Sequence, residues 1–117
     1  MIEIDRTSYT PPFEQLRLQL VEHIRSGQVR PGQRLPTVRK LAGDLDLAPN
    51  TVARTYRLLE ADGLIETRGR NGTIVRPHGD APQQEAQAAA QAYAEKVQHL
   101  GVPTSDALKF VRTALNL

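Results

Sequence analysis

The sequence predicts a mainly α-helical protein with one small β-hairpin, and three observations support this fold class. Apolar residues recur at helical spacing in three segments before residue 63. Two short β-prone runs then surround Asn71-Gly72, a dipeptide that favours a hairpin because both residues tolerate positive φ. After Pro77 the composition shifts to alanine and glutamine, which are typical of a helix.

The first predicted helix covers about residues 13–26, because Pro12 suits a helix start and Ser26-Gly27 suits a stop. Its apolar residues at helical spacing are Phe13, Leu16, Leu20, Val21 and Ile24. The segment VRPGQRLP then contains a Pro-Gly pair and predicts a turn. Thr37 can cap a second helix. The apolar stripe of that helix consists of Val38, Leu41, Ala42 and Leu45.

The third helix is predicted to run from Pro49 to Asp62, with Gly63 as its left-handed stop. It is amphipathic at about 100° per residue. Its apolar face consists of Val52, Tyr56 and Leu59. Its polar face carries Asn50, Arg54 and Arg57, with Thr51 on the flank.

Two further helices are predicted after the hairpin, so the chain divides into residues 1–77 and a helical tail of residues 78–117. Ala86, Ala90, Tyr93, Val97 and Leu100 form a short heptad-like seam in the first of these helices. A Thr-Ser-Asp cluster is predicted to cap the second, in which Leu108, Val111 and Leu115 share a face. A thin alanine-rich helix buries too little surface to be stable alone, so the tail is expected to need a partner.

Composition limits the classes of function. The 117 residues include no cysteine, which excludes disulfides and thiolate metal sites and favours reducing cytosol. No apolar run approaches the ~20 residues that span a bilayer, so a cytoplasmic protein without a membrane partner is expected. Residues 1–77 hold twelve Arg and Lys against nine Asp and Glu, and eleven of the twelve are arginine. This excess weakly favours nucleic acid.

Helix, turn, helix and hairpin within about forty residues is the arrangement of a winged helix-turn-helix. In that fold the third helix presents its first residues to the major groove of DNA. Asparagine can bond adenine, arginine can bond guanine, and the threonine methyl group can contact thymine. We therefore expect Asn50, Thr51 and Arg54 to contact bases, and Arg68 and Arg70 of the hairpin to contact phosphates or a minor groove. Taken alone, the polar face of the helix more often indicates an ordinary solvated surface.

Catalysis finds little support in the sequence. The three histidines, His23, His78 and His99, are scattered, and no serine lies in a nucleophile elbow. The glycines of GRNG lie between two strands, whereas a phosphate-binding loop leads into a helix. We expect no enzymatic activity, no catalytic residue, no cofactor and no metal.

The motifs PGQRLPTVRKLA, PNTVARTYRLLEADGLI and GRNGTIV resemble, in register, the DNA-binding domain of GntR-type bacterial transcription regulators. The resemblance runs from about Phe13 to Val75. The short helical tail is similar to that of the YtrA-like subfamily, in which the corresponding segment serves dimerisation. The resemblance implies a sequence-specific, DNA-binding transcription regulator.

The same resemblance implies positions of DNA contact. These are Arg39 with its neighbour Lys40, Pro49, Asn50, Thr51, Arg68, Gly69 and Arg70. The chain departs from the family pattern at three positions. Ala48 replaces a usual capping residue, Ala53 stands where many members have a DNA-contacting arginine, and Asn71 replaces a usual glycine.

The tail is predicted to form a homodimer that binds a palindromic operator, most simply as a repressor. The predicted dimer contacts are Tyr93, Val97, Leu100, Leu108, Val111 and Leu115. The alternative is that the tail folds back on its own domain. A small-molecule effector, if one exists, is expected at the subunit interface, because two short helices enclose little volume. The alternative function is a protein-interaction module on a winged helix that no longer binds DNA.

Overall fold

The computed structural model describes residues 2–117, with the exception of the side chain of Asn71. The elements are α1 (Pro12–Ser26), α2 (Val38–Leu45), α3 (Pro49–Ala61), β1 (Ile65–Thr67), β2 (Thr73–Val75), α4 (Ala81–His99) and α5 (Thr104–Ala114). This order confirms the mainly α-helical fold class with a small hairpin. The chain divides into two compact units, Met1–Gly79 and Asp80–Leu117.

Helix ends in the first unit follow the local sequence. Pro12 occupies the first turn of α1, and Gly27 ends that helix with φ of +84°. The hydroxyl of Thr37 accepts a hydrogen bond from the amide of Lys40 at 3.1 Å and so caps α2. Gly63, with φ of +77°, follows the last turn of α3. These predicted starts and stops are confirmed.

The core of the first unit is built from the predicted apolar stripes of the three helices. The residues of these stripes are buried or partly buried, and the hairpin closes the core from one side. The core residues are Leu16, Leu20, Ile24, Leu35, Leu41, Ala42, Val52, Tyr56, Leu59, Ile65 and Val75. Burial of each large side chain stabilises the fold by roughly 1.5–3 kcal/mol before the loss of chain entropy.

The hairpin, called the wing below, comprises residues 65–75 and differs from the prediction at its turn. Thr67 pairs with Thr73, so five residues form the loop, including a short 3-10 turn over Gly69–Asn71. The predicted hairpin around Asn71-Gly72 is confirmed, but its loop is longer than that dipeptide. The physical reason is that Gly69 and Gly72 both adopt positive φ, which lets the chain reverse over a longer loop.

A third short strand segment, which the sequence did not indicate, pairs with β2. The amide of Leu35 donates to the carbonyl of Thr73 at 2.8 Å, and the amide of Val75 donates to the carbonyl of Gln33 at 3.0 Å. Arg34 thereby forms an antiparallel bridge with Ile74. The wing is attached along one edge to the connection between α1 and α2.

The segment before α1 lies along that helix, held by two glutamine side chains. The amide groups of Gln19 and Gln15 exchange hydrogen bonds with the backbone of Glu3 and Asp5, at 2.6–3.0 Å. Ile2 and Ile4 pack against the core. These contacts order a stretch for which the sequence predicted no structure.

The second unit is a pair of helices. Asp80 caps α4 in a capping box, because its carboxylate accepts from the amide of Gln83 at 3.0 Å while the Gln83 side chain accepts from the backbone of Asp80. The predicted Thr-Ser-Asp cap of α5 is wrong, since Pro103 is the N-cap and Thr104 already lies in the helix. No residue of α4 is buried. Within residues 2–117, no helix combines the length and apolar character needed to cross a bilayer.

Candidate nucleic-acid interface

The connection between α2 and α3 is a tight turn. Asp46 adopts φ of +54°, and the amide of Leu47 donates to the carbonyl of Ala42 at 2.9 Å. The Nη2 atom of Arg6 donates to the carbonyls of Leu45 and Asp46 at 2.8 and 2.9 Å. These last carbonyls of α2 would otherwise lack intrahelical partners, so the N-terminal segment helps to hold this turn.

The first turn of α3 faces outward. Pro49 and Asn50 are exposed, and Thr51 is half-buried. The Asn50 amide makes no side-chain hydrogen bond to any other described residue. Its donors and acceptor are therefore available for a base edge, which is the geometry that direct readout of the major groove requires.

Arg54 is also exposed, but its side chain has a definite neighbour. Its Cζ atom lies 3.7 Å from the centroid of the Phe13 ring, over the ring face. The guanidinium is thus drawn from the outer face of α3 towards the first turn of α1. The stacking is not indicated by the sequence, from which a base contact of Arg54 is expected.

The two basic residues of α2 are exposed and differ in their surroundings. The ammonium of Lys40 lies 3.2 Å from the carboxylate of Asp44, one helical turn away. Arg39 has no ion pair with any side chain that the structure describes. Arg39 is therefore the freer of the two cations.

The wing loop carries the other predicted contacts. Arg68 forms an ion pair with Glu66, with Nη2 and Nε 2.6 and 3.0 Å from the same carboxylate oxygen. Gly69 adopts φ of +53° in the loop. Arg70 is exposed and makes no hydrogen bond or ion pair with a described side chain. Arg70 is the loop cation with the fewest competing contacts.

Arg34 is a further basic residue near the wing loop, and it is not among the residues predicted from the sequence. It lies on the strand segment beside β2, and its Cδ atom would lie 3.6 Å from a Cβ atom built on Gly72. The side chain therefore runs along the wing loop. Pairing across the sheet brings Arg34 to the loop residues, and no local pattern in the sequence indicates that pairing.

The predicted tail residues fall into two groups. Tyr93, Val97 and Val111 are half-buried and, with Leu108, line an apolar groove of 290 Å³ between α4 and α5. The hydroxyl of Tyr93 donates to the carbonyl of Ala107 at 2.9 Å. The exposed large apolar side chains of the tail are Leu100, Leu108, Phe110, Leu115 and Leu117, of which Phe110 and Leu117 were not predicted.

Bacterial regulatory proteins match the part of the chain that contains α1, α2, α3 and the wing. The model of bacterial regulatory proteins of the gntR family matches residues 12–75. The HTH-type transcriptional regulator Rv1152 of Mycobacterium tuberculosis is 44% identical over 110 residues, covering 94% of this chain and 90% of that protein. The HTH-type transcriptional repressor YtrA of Bacillus subtilis is 44% identical over 75 residues, which are 64% of this chain and 58% of that protein.

A solved structure shows the same fold over almost the full length. YtrA from Sulfolobus acidocaldarius, a GntR-family transcription factor, superposes with a TM-score of 0.63 at 23% identity, covering 98% of this chain and 97% of that one. The hairpin beside the helix pair is therefore the wing of a winged helix-turn-helix. The chain belongs to the gntR family of bacterial regulatory proteins and is a DNA-binding transcription regulator with a short, YtrA-like helical tail.

Proposed function

We propose that this regulator binds a palindromic operator as a homodimer and represses transcription from it. The observation that carries the proposal is the exposed first turn of α3 beside an exposed arginine-bearing wing in one compact unit. An α-helix fits the major groove, and the wing arginines then lie within reach of the DNA backbone. Repression is supported by the resemblance to the Bacillus subtilis repressor.

Base reading is assigned to Asn50 and Thr51, and positioning on phosphates to the cations Arg39, Lys40, Arg68 and Arg70. Pro49 and Gly69 are proposed as further DNA contacts. Asn50 is a base reader because its amide is exposed without a described side-chain partner. Arg70 is the leading phosphate contact for the same reason. The protein is proposed to act by binding DNA and not by catalysis. Its proposed location is the chromosome in the cytoplasm.

The first experiment selects bound DNA from a random pool and then measures affinity over a range of salt concentrations. Arg70→Gln should weaken binding to all sequences alike and lower the salt slope by about 0.9 for each phosphate that is no longer neutralised, hence about 1.8 for a dimer. Asn50→Ala should instead relax the base preference at one position of each half-site by about 1–3 kcal/mol.

Arg25→Gln is the matched control for charge, because Arg25 is exposed in the last turn of α1, about 18 Å along the helix from Phe13. This variant should leave both the salt slope and the base preference unchanged. A wild-type protein that selects no sequence would remove the regulator interpretation in favour of a protein-interaction module.

Dimerisation through the tail is supported by its exposed apolar side chains. Leu108 and Leu115 are 53% and 63% exposed, and no residue of α4 is buried within the chain. Such helices are marginal in water without a packing partner. A second tail that covers Leu100, Leu108 and Leu115, with contacts at Tyr93, Val97 and Val111 along the groove, would supply that partner.

Sedimentation equilibrium tests the dimer. Leu108→Glu together with Leu115→Glu should give a monomer with weaker operator binding, and removal of residues 82–117 should do the same. Leu18→Glu is the matched control, because Leu18 lies in the first unit and is 50% exposed. A dimer that persists in both tail variants contradicts the assignment and favours a tail that packs on its own chain.

An effector, if the regulator has one, is proposed to bind at the subunit interface. The tail groove of 290 Å³ lies at the lower limit of about 300 Å³ for a drug-sized ligand, so a second subunit would have to complete the site. Enlarging the groove by Val97→Ala should then change the response of operator binding to the effector, while dimerisation is followed in parallel.

A further inference from the structure

The position of the Arg54 guanidinium separates this residue from the others on the polar face of α3. Arg54 lies near the middle of that face, opposite the buried residues Val52, Tyr56 and Leu59. Its guanidinium nevertheless lies over the ring of Phe13, 3.7 Å from Cζ to the centroid. The side chain therefore bends sideways from the outermost line of the helix towards the start of α1.

The ring is held at this place by a buried contact between the two helices. The hydroxyl of Thr55, which is fully buried, lies 3.0 Å from the carbonyl of Phe13 and 3.1 Å from the carbonyl of Thr51. This contact fixes the first turn of α1 against α3 immediately beside Arg54. The Phe13 side chain, which is half-buried, thus offers a fixed ring face to the guanidinium.

Stacking on a ring leaves the in-plane N–H groups of an arginine available. Among the residues described, Arg54 makes no hydrogen bond and no ion pair. A nearby carboxylate, Glu14, is already bonded by Arg17, whose Nε lies 3.0 and 3.1 Å from its two oxygens. Arg54 is therefore oriented by an uncharged group and retains its full donor capacity.

Electrostatics around Glu14 are consistent with this arrangement. The hydrogen bonds from Arg17 lower the pKa of Glu14 below its ordinary value, and the positive charge of Arg54 acts in the same direction. The Glu14 carboxylate is paired with Arg17. Arg54 interacts with the charge of Glu14 at longer range and makes no hydrogen bond or ion pair with a described residue.

We propose that Phe13 positions Arg54 to bind a backbone phosphate at the edge of the major groove, in place of the base contact expected from the sequence. The inference rests on the proposed function, in which α3 enters the groove. The major groove is about 12 Å wide with phosphates along both edges. A guanidinium displaced to the flank of α3, over a neighbouring helix, faces an edge, whereas Asn50 and Thr51 at the helix start face the bases.

The test compares six proteins on the selected operator and on its single-base-pair variants, over a range of salt concentrations. These are the wild type, Arg54→Gln, Phe13→Leu, Phe13→Met, Phe13→Tyr and the double variant Phe13→Leu with Arg54→Gln. Arg54→Gln should reduce affinity about tenfold per half-site, equally for the operator and its variants. The salt slope should fall by about 0.9 per half-site.

Phe13→Leu should reproduce most of both changes, because the ring face is removed, and Phe13→Tyr should restore the wild-type salt slope. Combining Phe13→Leu with Arg54→Gln should add little to Arg54→Gln alone. Phe13→Met provides a second ring-free variant with a flexible side chain, and thermal melting verifies that each protein is folded. A merely structural role for Phe13 would lower the melting temperature without a change in salt slope.

Four results overturn the inference. Loss of discrimination at one base pair in Arg54→Gln would make Arg54 a base reader. An unchanged salt slope in both ring-free variants, with a reduced slope in Arg54→Gln, would remove the positioning role of Phe13. If the wild type binds no DNA, the proposed function is wrong as well. If the wild type binds DNA and Arg54→Gln binds equally well, only this inference is wrong.

Discussion

Tyr56 connects α3 to the strand segment beside the wing, and its ionisation should limit stability at high pH. The side chain is 7% exposed, and its hydroxyl donates to the carbonyl of Pro36 at 2.7 Å. Burial raises the pKa of Tyr56 from the ordinary value of 10.0 to about 12. The folded state therefore favours the neutral phenol, whereas ionisation to the phenolate favours the unfolded state.

The sign and size of the effect follow from that shift in pKa. Because the folded pKa lies above the unfolded value, the stabilisation is fully present below pH 10 and is lost as the pH rises from about 10 to 12. With these two values the loss is about 1.4 kcal/mol at pH 11 and approaches about 2.7 kcal/mol above pH 12. Tyr56→Phe removes the titration and, at neutral pH, the hydrogen bond, worth about 0.5–1.5 kcal/mol.

Urea unfolding of the wild type and Tyr56→Phe at several pH values between about 7 and 11 measures the difference. The difference in free energy of unfolding between the wild type and Tyr56→Phe should shrink by about 1.4 kcal/mol at pH 11. The titrations of lysines occur in both proteins and cancel in the comparison. Tyr9→Phe is the matched control, because Tyr9 is fully exposed. Parallel curves for the wild type and Tyr56→Phe over the whole pH range would refute the reasoning.

Three further substitutions test the local structure. Gly63→Ala should lower the free energy of unfolding by about 1–2 kcal/mol, because Gly63 adopts φ of +77°; urea titration measures this, and an unchanged midpoint contradicts the strain. Asp80→Ala should remove the cap of α4 and about 1 kcal/mol of helix stability, seen as reduced ellipticity at 222 nm, which Asp80→Asn should largely restore. Arg6→Gln should weaken the turn after α2 and lower stability by about 0.5–1.5 kcal/mol, with Arg6→Lys intermediate; equal stability of all three proteins would show that water replaces these bonds.

Local signals in the sequence predicted the helices well because each helix end has a local cause. Proline at the start, a threonine cap and glycine with positive φ all act within a few residues. The Pro12, Thr37 and Gly63 signals are confirmed by the structure. The same locality explains why the buried faces of α1, α2 and α3 were identified from periodicity alone.

The missed features depend on contacts between distant parts of the chain. Leu35 pairs with Thr73 across the sheet, and Arg6 bonds to carbonyls at Leu45 and Asp46, about forty residues away. Neither contact has a periodic pattern in the sequence. The longer wing loop was missed because Asn71-Gly72 is a strong local turn signal, while strand register across Thr67 and Thr73 decides the loop length.

The candidate site was predicted in its residue types but not in its side-chain geometry. Exposure of Asn50 and Arg70 follows from their positions on a helix face and in a loop. The stacking of Arg54 on Phe13 and the pairing of Arg68 with Glu66 depend on where other side chains lie. Sequence reasoning can therefore propose which residues meet DNA, whereas the structure is needed to divide them into roles.

The wing is joined to α3 at two places, through the amide of Thr67 on Glu60 and through the strand segment that Tyr56 holds at Pro36. These bonds hold α3 and the wing, the two surfaces proposed to face DNA, at a set separation before DNA binds. Preorganisation of this kind reduces the conformational entropy lost on association. In the proposed complex, the duplex would then have to bend or twist to match this separation. Operators with flexible base-pair steps between the two proposed contact points would be favoured, even where no side chain touches a base.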